Sequence, residues 1–273
     1  MSAQAGARTI SDLCRVLDVS RSGYYQWQAA PVPPAPAWQP AAQQTFTRHA
    51  GRYGTRRLRA ELRAEGHRVG RYELRGWLRA SGQRALSTRP HRPRATEAVV
   101  AENRLLGQPA PTGPNQIWVG SRHLPTAGGR WCYLATWRDA CSRRVVGWHL
   151  EAHMPTELVL AALEQALTLR QPASGLIVHA DRGSQYTSLA CRQRIAAAGA
   201  VASNPYNNAQ TAAGWSTLKT ELLPHGGVFA SLQEARLEVA YYLDTYLNLD
   251  RRHSALGYRL PHQFETDLLN HLP

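Results

Sequence analysis

The strongest constraint on the fold of this chain is a short apolar run, Gly175-Leu176-Ile177-Val178, that leads into His179-Ala180-Asp181-Arg182-Gly183. Bounded by Pro172 and Gly183, it predicts a buried strand. An acid at the end of such a strand, just before a glycine turn, stands where open α/β sheets place their chemistry. A carboxylate there can hold a divalent cation against a phosphate, or it can cap the next turn.

The pattern around this strand fills in a layered domain from residue 114 to 273. Gln116 to Gly120 reads as a strand, and Trp131–Trp137 with Arg144–Leu150 as an antiparallel hairpin. Thr156 caps a helix that runs to about Leu169. After the Ile177 strand come a helix over Leu189–Ala198, a short strand at Ala200–Ala202 and a polar loop at Asn204–Asn208. Helices over Ala209–Leu223 and Ser231–Leu247 complete the order. Strands mixed with helices in this sequence predict an α/β class.

The N-terminal third is different. Residues 1–28 read as a helix-turn-helix-like segment, with Ser11 as first cap and Ser20 as second. Residues 29–47 read as a Pro-rich linker, because Ala29 to Pro40 carries five prolines. Residues 48–86 form a second, basic helical pair, Thr55–Glu65 followed by a helix with Leu74, Trp77 and Leu78 inward. Arg71, Arg75 and Arg79 recur every fourth residue there and so share one face. Residues 87–113 make a basic tether.

The formal net charge is +13 with pI about 10.2. Residues 1–110 hold 18 Arg against 7 acids, while the remainder holds 14 basic residues against 12 acids. Nucleic acid is therefore the expected partner, contacted by the N-terminal part through Arg56, Arg57, Arg63, Arg71, Arg75 and Arg79. A solvated basic face is the simpler alternative for such a run. Cys14, Cys132, Cys141 and Cys191 lack metal-ligand spacing and are expected as reduced thiols. No apolar run approaches a membrane span and no secretory core opens the chain, so a cytoplasmic protein without membrane partners is expected.

The element order, with HADRGSQYTS on the fourth strand, resembles the ribonuclease-H-like integrase core. Specific stretches resemble the transposases of bacterial insertion sequences encoded in a second, frameshifted reading frame. These are CRVLDVSRSGYYQW, YGTRRLRAELRAEGHRVGRYELRGWLRASG, PNQIWVG, YLATWRDACSRRVVGWHL, GLIVHADRGSQYTS, STLKTEL and YLNLDRRHSALGYRLPHQFE. The resemblance runs from about Leu13 to Glu265. It implies a mixed five-stranded sheet flanked by helices and preceded by small all-α helix-turn-helix segments. It also implies DNA transposition by phosphoryl transfer at element ends, with Asp, Asp and Glu holding two Mg²⁺ ions. A homo-oligomer or an upstream-frame fusion partner is open under the same resemblance.

The chain departs from the family pattern at the acids. The second Asp falls on Asp181, the expected catalytic and metal-binding residue. The first falls on Ser121 and the Glu on Ala212. Glu221, nine positions beyond Ala212, is half a turn out of phase on a helix, and Asp139 at the hairpin turn reads as structural. Arg182, Arg251 and Arg252 are further expected phosphate contacts, although a basic pair at a helix end can also complement the dipole. The expectation is a DNA-binding relative of these enzymes that lacks catalysis. An active enzyme with a rearranged metal site and a folded relic or interaction module without DNA contact are the alternatives.

Overall fold

The computed structural model describes residues 9–31, 35–86, 105, 107–123, 126–153, 155–180, 185–203, 217–223 and 228–270. β1 (Ile117–His123), β4 (Tyr133–Asp139) and β5 (Val145–Glu151) pair antiparallel, while β6 (Ile177–Ala180) and β7 (Val201–Ser203) join β1 in parallel. The result is a mixed five-stranded sheet in the order β5-β4-β1-β6-β7. The strand expected from Trp131 starts at Tyr133 instead. Arg130–Trp131 (β3) pairs with Thr126–Ala127 (β2), which continues onto Val228–Phe229 (β8) as a small second sheet.

One face of the main sheet is covered by α6 (Thr156–Arg170) and α7 (Leu189–Ala197). Their core contains Trp118, Trp137, Leu158, Ala162, Leu163, Val178 and Tyr186. Two glycines permit this closeness. A β-carbon on Gly120 would lie 2.4 Å from the Trp137 ring, and one on Gly147 would lie 2.3 Å from the Ala162 carbonyl oxygen. Thr156 is the first helical residue and Pro155 takes the cap position, so the expected Thr156 cap does not form. Ser188 caps α7, its Oγ accepting from the Cys191 N–H at 3.2 Å.

The other face packs on α8 (described over 217–221) and on α9 (Leu232–Ala240), which continues as wider π-helical turns over Tyr241–Asp250. The helix expected over 231–247 thus exists, starts at a true Ser231 cap and runs further. Sequence reasoning missed α10 (Pro261–Asn270). Its Glu265 is buried and bonded by both Arg144 and Arg170, which pins the helix to the domain.

At the N-terminal end, α1 (Ile10–Val16) and α2 (Arg21–Ala29) form the expected pair. Thr9 rather than Ser11 caps α1, its hydroxyl accepting from the Asp12 N–H. The segment expected as linker through residue 47 turns helical at Trp38: α3 (Trp38–Arg48) joins α4 (Thr55–Ala64) and α5 (Arg71–Ala80) in one core. Burial of Trp38 and Ala42 against Leu58, Leu62 and Leu74 outweighs the local proline bias. The four cysteines form no disulfide. No helix among the described residues is long and apolar enough to cross a membrane.

Candidate functional site

The parallel pairing of β1 with β6 ends at the centre of the sheet, with Gly120 opposite Ala180, while β1 continues to His123 along β4. The next residues in the chain are Ser121 and Asp181. Ser121 is buried, and its Oγ lies 3.0 Å from the Oγ1 of Thr136, its cross-strand partner on β4. A neutral hydroxyl pair therefore stands at the position where the sequence resemblance leads one to expect an acid. Asp181, Arg182 and Ala212 lie outside the described residues. On β6, His179 is buried with Nδ1 3.0 Å from the Ser203 Oγ. Burial lowers its pKa, so the ring is neutral near pH 7. Among the described residues no three His, Cys, Asp or Glu side chains gather into a group able to hold a metal.

Two nearby acids are committed elsewhere. Asp139 is fully buried at the β4–β5 turn, where it accepts from the backbone N–H groups of Asn115, Cys141 and Ser142 at 2.6, 2.9 and 2.8 Å. Glu221 accepts two bonds from Arg251 at 2.6 and 2.7 Å, one from Tyr242 at 3.0 Å and one from Arg57 at 3.2 Å. Burial acts to raise the Glu221 pKa, but the Arg251 bond and charge, with Arg57 and Tyr242, outweigh it and hold the carboxylate below its ordinary range.

The basic residues separate into two sets. Arg56, Arg63, Arg71, Arg75 and Arg79 are exposed on α4 and α5, with no ion-pair partner among the described residues. Arg57, Arg251 and Arg252 are drawn inward, contrary to the expectation of free phosphate contacts. Arg251 is 3% exposed in its pair with Glu221, Arg57 shares that carboxylate, and Arg252 bonds Glu61. A buried acid holds a guanidinium through charge-assisted bonds, because leaving the desolvated carboxylate unpaired would cost more than ordering the arginine. These pairs were invisible in the sequence, since their members come from distant segments.

The same contacts fix the helical unit to the core. The Tyr53 hydroxyl donates to the Asp250 carbonyl at 3.2 Å and accepts from the Arg252 N–H at 2.8 Å. His49 is fully buried, stacked on Tyr53 at 3.7 Å and beside Tyr246. Arg52 lies over the Tyr246 ring at 4.5 Å and donates to the Glu221 carbonyl at 3.0 Å.

This two-part arrangement has counterparts. Residues 111–204 match the integrase core domain and residues 39–91 an HTH-like domain. The HTLV-2 integrase catalytic core domain, solved in complex with magnesium, superposes with a TM-score of 0.44 at 16% identity, over 56% of this chain and 97% of that one. The transposase for insertion sequence element IS904 of Lactococcus lactis subsp. lactis is 36% identical over 81% of this chain and 90% of its own length. Transposase InsF for insertion sequence IS3A of Escherichia coli K12 is 36% identical over 94% of each chain. With identity at that level sustained from the helical unit through the sheet, the chain belongs to the family of insertion-sequence transposases that includes InsF.

Proposed function

We propose that this transposase-family protein binds DNA through its exposed helical arginines and has lost metal-dependent strand transfer. The observation that carries the reading is the Ser121–Thr136 hydroxyl contact, 3.0 Å long and buried in the sheet. Mg²⁺ is a hard cation that prefers anionic oxygens, and two such ions beside a phosphate need several carboxylates to balance their charge. A serine already paired with a threonine supplies none. Ala212 removes a second acid from the family pattern, which leaves Asp181 alone. The donor set does not fit a pair of Mg²⁺ ions. Asp139 and Glu221 are held by their own partners, so neither is free to substitute.

DNA binding is supported by the charge of the helical unit. Arg71, Arg75 and Arg79 share one exposed face of α5, and Arg56 and Arg63 extend it across α4. The test uses pure full-length protein and a labelled duplex bearing an element end, with Mg²⁺ or Mn²⁺. Salt-sensitive binding without nicking is expected. Metal-dependent nicking that vanishes in Asp181→Asn overturns the loss of catalysis, and absence of any salt-sensitive binding overturns the DNA reading in favour of a folded relic.

A further inference from the structure

An open cleft of about 340 Å³ runs between the helical unit and the core. Six arginines line it: Arg56, Arg59, Arg63 and Arg71 from α4 and α5, and Arg252 and Arg259 from the segment after the π-helical turns. We propose that this cleft binds phosphodiester groups and carries the α5 arginine row onto the core, so that both units grip one DNA backbone together. The proposal rests on the DNA-binding reading above and adds a contact surface from the core.

Charge is the first argument. Two acids pair with the cleft's arginines: Glu61 is taken by Arg48 and Arg252, and Asp267 meets Arg259 at 3.5 Å. Arg56, Arg63 and Arg71 have no ion-pair partner among the described residues and face the same space. Converging like charges repel, and a chain of phosphates relieves that repulsion while releasing its own counterions.

Pre-organisation is the second. Arg59 lines the cleft and is held by its Nε donating to the Val69 carbonyl at 3.1 Å. On the opposite wall, Gly257 and Tyr258 follow each other at φ 63° and 64°. Two successive left-handed residues are costly when the second carries a side chain. The turn is closed by His253 N–H to the Arg259 carbonyl at 3.0 Å and Tyr258 N–H to the His253 carbonyl at 2.9 Å. The Tyr258 carbonyl accepts from Arg252 at 3.1 Å, and Arg259 leaves the turn over the Phe264 ring at 4.5 Å. Strain of this kind is retained where it fixes a side chain for a ligand. The openness of the cleft and its continuity with Arg71, at the head of the Arg75–Arg79 row, select a polymer backbone over a small free anion.

The test measures binding of a 30-base-pair duplex by fluorescence anisotropy across a NaCl series, using full-length protein. Arg63→Ala and Arg259→Ala are each expected to lower the slope of log K against log salt by about one, and affinity at 0.1 M salt by about tenfold. Arg259→Lys should recover the slope. If both alanine variants bind like the parent while Arg75→Ala and Arg79→Ala bind more weakly, the cleft is overturned and the DNA reading stands. If nothing binds in a salt-dependent way, both fall. Inorganic pyrophosphate forms a second arm: stabilisation by it that Arg259→Ala abolishes, with DNA binding unchanged, identifies a small-anion pocket and overturns the proposal.

Discussion

Arg251 meets Glu221 through two parallel bonds, Nε to Oε2 at 2.6 Å and Nη2 to Oε1 at 2.7 Å, with both residues buried. The pair joins α8 to the end of the π-helical turns, and Arg57 brings α4 to the same carboxylate. Glu221 thus ties the helical unit to the core, beside the Arg252–Glu61 pair.

Removing one partner of such a pair strands the other charge. Arg251→Met is expected to cost on the order of 3–5 kcal/mol in urea unfolding. Replacing both residues by Met should recover a large part of that loss, because only the partly exposed Arg57 then lacks its acid. A single-variant loss below about 1 kcal/mol would show that the pair carries little of the junction's stability.

Ser121 gives a graded test of its surroundings. Ser121→Ala removes a neutral hydroxyl contact and should cost roughly 1 kcal/mol. Ser121→Asp places a carboxylate beside the Thr136 hydroxyl in a buried strand, which should cost more, about 2 kcal/mol or above, in chelator-containing buffer. Thermal melts of the two variants check the order. Equal stability of Ser121→Asp and the parent would mean that a counter-charge already waits there.

The boundary at residue 38 predicts how truncations behave. A chain starting at residue 36 retains Trp38 and Ala42 in the helical core, whereas one starting at 49 loses both. Loss of a buried Trp alone costs about 3–5 kcal/mol. The shorter chain should therefore be cleaved rapidly by protease between Tyr53 and Gln83, and the longer one should not.

Much of this architecture was readable from periodicity, because strands and helices that bury one face announce it locally. The individual strands, the Ser20 cap, the helix beginning at Ser231 and the α4–α5 pair all followed from such patterns. α3 was hidden by the proline-rich stretch that leads into it. Yet Pro40 falls in the first helical turn, where a missing N–H has no helical acceptor to lose. Pro261 heads α10 in the same way, a signal present in the sequence but overlooked. The ion pairs carried no local signal: Arg252 and Glu61 stand 191 positions apart, and Arg251 and Glu221 30 apart. Charge alone therefore marked Arg251 and Arg252 as surface contacts, and only the tertiary fold shows the acids that claim them.

A buried histidine, His49, and a half-buried one, His253, set a pH dependence. Burial, followed by the charges of Arg251, Arg138, Arg143 and Arg57, pushes His253 from 6.5 down to about 3. His49 is lowered in the same direction, chiefly by burial. In the unfolded chain both take a proton near the ordinary value of 6.5, so the unfolded state binds more protons below it. Stability is then complete above pH 6.5 and falls as the pH drops toward about 3. The depressed carboxyls of Glu61 and Glu221 add a further loss once the pH falls below their ordinary 4.5. Between about pH 6.5 and 5, His253→Gln should flatten the decline by up to ~1.4 kcal/mol per pH unit, measured by urea midpoints. An unchanged slope would place the His253 ring in contact with water.

The closest approach of helix to sheet gives the sharpest packing test. A β-carbon on Gly147 would stand 2.3 Å from the Ala162 carbonyl oxygen and 2.8 Å from the Ala166 backbone nitrogen. Those atoms belong to the α6 backbone, which cannot swing aside as a side-chain tip can. Gly147→Ala must push α6 away from β5 and loosen the core that Leu158, Ala162 and Leu163 share with Trp118 and Trp137. A loss of about 1–3 kcal/mol or more is expected, despite the entropy advantage that alanine ordinarily has over glycine. Gly76, exposed in the middle of α5 with open space around it, provides the control. There Gly76→Ala should stabilise by roughly 0.5–1 kcal/mol. Opposite signs for the two substitutions in the same denaturant series would confirm the close approach, and a neutral Gly147→Ala would contradict it.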